Sequence, residues 1–264
     1  MRLLAFLAVG FAACAGAQEI VTVQTRPRVT QSFFIANMGE RKPQAAALLF
    51  AGGGGSINLR TEGGQIRFSQ GNFLPRERRE FIRNGILPLL LDNATDQKAG
   101  DGMSDGFRAS RPHAADIRAV VAEVKKRYPG LPVFLVGTSR GTVSVAYLAV
   151  ALDGEVAGAV LTSSLFYEAP RTNPRPVLAG FDWSAIKMPA LLVHHADDSC
   201  FATPYRDAAR LEKRYPLITV HGGKPAESGP CEPLAPHGFF GKEAQTVDAI
   251  AAWMLGKPFA KEIR

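Results

Sequence analysis

Beyond its first residues the 264-residue chain has no apolar run long enough to span a bilayer, which takes about 20 residues. It has no internal repeat, no proline- or serine-rich linker, no dinucleotide or phosphate-loop glycine pattern and no heme motif. Nothing in it therefore calls for a cofactor. Excess charge is also modest. With 31 Lys+Arg against 24 Asp+Glu the net charge is +7, and the basic residues are scattered. The densest cluster, Arg76, Arg78, Arg79 and Arg83, is interleaved with Glu77 and Glu80 and has no aromatic ladder beside it. That is the pattern of a solvated helix face and argues against a nucleic-acid partner. At 46% hydrophobic and 21% charged residues, the composition excludes a disordered tail, a collagenous fibre or a coiled coil as the main content.

What is there begins with an address. Arg2 is followed by an apolar stretch, residues 3–13, and then by Ala15-Gly16-Ala17. This order fits a signal peptide over residues 1–17 cut before Gln18, and the stretch is too short to cross a membrane. A lipid on Cys14 and a buried N-terminal helix are the competing readings. Export, to a periplasm or the exterior, leaves a mature chain with Cys200 and Cys231 as its cysteines. In an oxidising compartment two cysteines suggest one disulfide, against the plainer reading of two free thiols.

Residues 20–23 and 29–35 are β-rich and are expected to pair antiparallel. Apolar strands follow at residues 45–50, 86–91, 133–136, 159–161, 190–194 and 217–220, with a polar helix expected near 76–83 and a polar loop over 92–111. Ile117, Val120, Val121, Val124 and Tyr128 share one helical face, closed by Pro129-Gly130. Residues 142–152 are apolar almost all round, as in a helix buried on several sides. Val247, Ile250, Ala251 and Met254 give a closing helix its core face. Fully apolar strands separated by helices predict one α/β domain over residues 18–264, a mostly parallel sheet with helices on both faces.

Gly-x-Ser-x-Gly occurs twice. Around Ser104 it lies in the polar loop, flanked by Asp101 and Arg108, with no strand leading in. Around Ser139 it follows an apolar strand and opens the apolar helix, the strand–turn–helix setting in which the motif has a mechanical role. A serine at so sharp a turn needs neighbours without side chains, which Gly137 and Gly141 provide. The plainer alternative is an ordinary glycine-rich strand–helix turn.

With these residues the chain resembles an α/β-hydrolase over about residues 45–255. The resemblance implies a three-layer α/β fold with a minimal lid and a fixed order of nucleophile, acid and base. Ser139 would be the nucleophile. The acid would follow the strand at 190–194, at Asp198, with Asp197 as the alternative, Glu168 as a remote third choice, and helix capping as the plain reading of both aspartates. The base would be His237, in the loop before the last helix. His113 comes too early in the chain, His194 and His195 adjoin the acid, and His221 is read as too deep. The oxyanion donors would be the backbone N–H of Arg140 and one from the run Gly52 to Gly55, either Gly53 or Gly54, although Ala51 replaces the histidine often found before such a run.

A disulfide between Cys200 and Cys231 would clamp the acid loop to the histidine loop. A metal reading of His194, His195, Asp197, Asp198, Cys200 and Cys231 is weakened because adjacent strand residues point to opposite faces. Residues 163–187 would form the lid, and Phe166, Tyr167, Phe181 and Trp183 either line an acyl pocket or belong to the core. The expected reaction is hydrolysis of a carboxylic ester, small or polymeric, through an acyl-serine. Peptide or amide cleavage on the same triad and a non-catalytic exported binding protein are the alternatives.

Overall fold

The computed structural model describes residues 18–167 and 177–264. The expected leader with Cys14, the middle of the expected lid and Glu168 lie outside the described residues. A nine-stranded sheet organises the rest, in the order β1-β2-β6-β3-β7-β8-β9-β10-β11. In chain order its strands are β1 (Glu19–Arg26), β2 (Val29–Ile35), β3 (Ala45–Phe50), β6 (Ile86–Leu91), β7 (Val133–Thr138), β8 (Gly158–Thr162), β9 (Ala190–His195), β10 (Leu217–Val220) and β11 (Glu262–Ile263). A separate exposed hairpin pairs β4 (Arg60–Glu62) with β5 (Gln65–Arg67). β1 pairs antiparallel with β2, and β2 with β6; every later pairing in the large sheet is parallel.

The central strands are apolar throughout because both faces are covered. Along β3, Ala46, Leu48 and Phe50 enter one core cluster, while Ala45, Ala47 and Leu49 enter the other. That alternation is the two-residue period of a strand. Helices α4 (Arg111–Arg127) and α5 (Gly141–Ala151) close the first face with Ile117, Val121 and Val145. Helices α2 (Arg78–Arg83) and α7 (Glu243–Met254) close the second with Phe81, Val247 and Ile250. This is the expected three-layer arrangement. Pro88 is accommodated inside β6 because its carbonyl accepts from Ala36 N–H, just past the end of β2. Its missing donor thus falls on that side, outside the β3 ladder.

Two expectations need correction. The helix expected near 76–83 is two short pieces, α1 (Phe73–Arg76) and α2, interrupted at Glu77. The polar loop over 92–111 contains a single turn of helix, α3 (Asp105–Arg108), capped by Ser104 Oγ, which accepts from Phe107 N–H. A further short helix, α6 (Tyr205–Ala209), follows the loop after β9.

Candidate active site

Strand β7 delivers Ser139. Its N–H still bonds to Thr162 O of β8 at 3.1 Å, and the chain then turns at Ser139 with φ of 52°. A residue with a Cβ held in the left-handed region costs about 1–3 kcal/mol and persists only where its surroundings enforce it. Here they do. The backbone N–H of Thr142 donates to Ser139 O at 2.9 Å, and the Thr142 hydroxyl donates to the same oxygen. A Cβ on Gly141 would collide with Phe50 O, and one on Gly137 would lie 2.7 Å from Gly141 O and from Val145 Cγ2. The two glycines therefore let α5 start directly against the strand.

Ser139 opens onto a cavity of about 340 Å³ whose walls also include Gly52, Gly53, Asn72, Cys231, Glu232 and His237. His237 sits in a tight turn whose register is fixed by Ser163 Oγ, which donates to the His237 carbonyl at 2.8 Å. Its Nδ1 lies 3.0 Å from Asp198 Oδ2, and the Asp198 side chain has no exposed surface. Cys200 N–H donates to Asp198 Oδ1 at 2.9 Å, and the Thr203 hydroxyl donates to Oδ2 at 2.8 Å. Thr203 Oγ1 is also 3.1 Å from His237 Nδ1. The carboxylate thus meets the imidazole while held by two further donors.

Asp197 points elsewhere. Its side chain is 65% exposed, and its carboxylate accepts from Gly222 N–H in the turn after β10. Cys200 and Cys231 form a disulfide. Gly53 borders the cavity with φ of 58°, whereas Gly54 turns its carbonyl to Met103 N–H and Asn93 Nδ2 at 2.9 and 3.0 Å. Arg140 stands at the N-terminus of α5, and its Nε bonds to Asp105 at 2.9 Å.

The other histidines have structural settings. His194 Nε2 accepts from Ser164 N–H at 2.7 Å, and burial pushes its pKa down to about 3. His195 Nε2 bonds to Gly222 O at 2.9 Å. His113 is fully buried between aromatic rings. His221 is not deep, as expected, but partly exposed, 2.8 Å from Glu262 at the sheet edge. Among the described residues no three His, Cys, Asp or Glu side chains gather as a metal-ligand set.

Phe166 and Trp183 border a second cavity, of about 450 Å³, that shares no wall with the cavity of Ser139. Phe166 is buried and belongs to the core, with Trp183 packed against it.

Thr203 and Asn72 escaped the sequence reading. Thr203 lies five residues after Asp198, but nothing local distinguishes it from the start of the helix that follows. Asn72 precedes α1, and only its place opposite Gly52 reveals it.

The family model of the S33 serine aminopeptidases, Hydrolase_4, matches residues 84–226, a span that takes in Ser139 and Asp198. The chain belongs to this family, within the α/β-hydrolases. Solved structures agree on the fold. An alpha-beta serine hydrolase homologue from Coxiella burnetii is 15% identical with a TM-score of 0.57, covering 90% of this chain and 96% of its own. Est1E from Butyrivibrio proteoclasticus is 14% identical with a TM-score of 0.57, covering 90% and 99%. A cold-adapted esterase from an Arctic intertidal metagenomic library is 15% identical with a TM-score of 0.52, covering 78% and 84%. No curated protein matches the chain.

Proposed function

We propose that this hydrolase cleaves a carboxylic ester through an acyl-serine intermediate, with Ser139 as nucleophile, His237 as base and Asp198 as its orienting acid. The observation that carries the reading is the 3.0 Å contact of His237 Nδ1 with buried Asp198, in the cavity where Ser139 is held at a strained turn. A serine hydroxyl attacks poorly until a neutral imidazole takes its proton. With Nδ1–H committed to the carboxylate, Nε2 is the free basic nitrogen that would accept it. His237 would then return that proton to the leaving alcohol, and water would repeat the cycle to release the acid. Asp198 fixes the tautomer and stabilises the imidazolium. The developing oxyanion would be met by the backbone N–H groups of Gly53 and Arg140, the latter at the positive end of α5.

The described residues contain no helix long and apolar enough to cross a membrane. The Cys200–Cys231 disulfide suits an exported enzyme, and the leader ending in Ala15-Gly16-Ala17 would give it a mature form that begins at Gln18, a start that sequencing the N-terminus of secreted material would verify. Peptide or amide cleavage is the second reading, favoured by the aminopeptidase description of the matching family. Hydrolysis of p-nitrophenyl esters of rising chain length, run beside peptide anilides with Ser139→Ala as control, tests both. Turnover of esters that vanishes in the variant is the expected result. Turnover of peptides alone would favour the second reading, and no turnover in folded, disulfide-bonded protein would favour a non-catalytic binding protein.

A further inference from the structure

A charged cluster lies against the cavity wall, and the triad chemistry does not use it. Arg108 on α3 is 1% exposed. Its Nη2 donates to the Gly53 carbonyl at 2.9 Å and its Nη1 to Ser144 Oγ at 3.1 Å, while Nε is buried with no hydrogen-bond partner. Burial, followed by the neighbouring Arg140, pushes the guanidinium down to about 9. Taking such a group out of water is expensive, and conformational specificity is one reason to retain it. Three residues earlier on the same helical turn, Asp105 is buried and accepts from Arg140 Nε at 2.9 Å. One short helix therefore grips Gly53 by its carbonyl and Arg140 by its side chain, the two residues whose N–H groups are proposed to meet the oxyanion.

The glycine run needs such a grip, because four residues without Cβ do not define their own peptide orientations. Each of its first three carbonyls is tied. Gly52 O accepts from Gly55 N–H at 3.1 Å, Gly53 O from Arg108, and Gly54 O from Met103 N–H and Asn93 Nδ2. Three of these four donors come from residues 93–108. The second Gly-x-Ser-x-Gly match acquires a structural role here. Gly102, with φ of 77°, packs against Gly54 O where a Cβ would collide, and Ser104 caps α3.

We propose that Arg108 and Asp105 are positioning residues: Arg108 holds the peptide that joins Gly53 to Gly54 and Asp105 holds the Arg140 side chain, and together they fix the backbone segments whose Gly53 and Arg140 N–H groups face the tetrahedral intermediate. This rests on the serine-hydrolase reading. An oxyanion donor is worth about 100- to 1,000-fold in kcat, and small misplacements forfeit much of that. In Arg108→Gln and Asp105→Asn, kcat on p-nitrophenyl acetate should fall about 30-fold or more with KM within about twofold. Affinity for a phenylboronic acid, which mimics the tetrahedral species, should weaken in step. Arg108→Lys, which keeps a cation within reach of the Gly53 carbonyl, should recover part of the loss.

Unchanged kcat and boronate affinity beside a lowered Tm would overturn the proposal in favour of a purely structural role. Should Arg108→Gln fail to fold, Asp105→Asn carries the test, since its partner Arg140 is partly exposed. A second readout is independent of turnover. The amide NMR shifts of Gly53 and Gly54 should move in the Arg108 variants, and that of Arg140 in Asp105→Asn. Wild-type protein that neither hydrolyses esters nor accepts a fluorophosphonate would defeat the hydrolase reading, whereas unmoved amides would defeat the brace.

Discussion

Replacing His113 with phenylalanine should make the protein markedly less sensitive to acid. His113 sits in the first turn of α4 with its ring 5.4 Å from that of Phe107 and 6.2 Å from that of Phe50. Neither ring nitrogen has a hydrogen-bond partner. Burial, reinforced by Arg108 and Arg26, pushes its pKa down to about 3. The folded protein thus keeps this imidazole neutral, whereas the unfolded chain protonates it near 6.5.

As pH falls below about 6.5 the unfolded state gains a proton that the native state refuses. Stability is then lost at about 1.4 kcal/mol per pH unit until the folded pKa is reached. From pH 7.5 to 5.0 this one group should cost about 2 kcal/mol. Urea unfolding of wild type and His113→Phe, disulfide intact, would measure it at both values. Whatever the offset at pH 7.5, the difference between the proteins should move by about 2 kcal/mol in the variant's favour at pH 5.0. An unchanged difference would refute the reasoning, since it would mean that the imidazole takes up its proton in the folded state.

Thr203→Val removes the hydroxyl that donates to Asp198; a hydrogen bond to a charged group is worth about 1.5–3 kcal/mol, so kcat should fall about tenfold or more while Thr203→Ser stays near wild type. Reduction of the disulfide, or Cys231→Ser, frees a loop closed across 31 positions, worth about 3–4 kcal/mol in the chain-entropy account. Because Cys200 N–H holds Asp198 and Cys231 lines the cavity, kcat should drop further than circular dichroism changes; unaltered turnover in fully reduced enzyme would contradict this. Gly141→Ala drives a methyl into the Phe50 carbonyl and should cost about 3 kcal/mol or more, read as lost Tm or soluble yield.

The parts legible in the sequence are those whose residues are dictated locally. β3, β6 and β10 have the boundaries read from apolar runs, since a strand covered on both faces tolerates little else. Ser139 was separable from Ser104 by context, because only one of the two follows a strand. The β4–β5 hairpin is exposed and polar, so it carries no alternating pattern to detect. α3 is one turn long, too short for periodicity, and Arg108, which the sequence places in a polar loop, is buried only by the tertiary fold. Thr203 serves His237 from 34 positions away, a relation that only the tertiary fold creates. Phe166 and Trp183 were ambiguous because a large aromatic suits a core and a pocket equally well.

The most direct measurement is labelling with a fluorophosphonate probe followed by mass mapping of the modified peptide. The account predicts stoichiometric modification of Ser139 in folded, oxidised protein, abolished in Ser139→Ala and strongly slowed in His237→Ala. Modification that persists in Ser139→Ala, or that maps to Ser104, would contradict it.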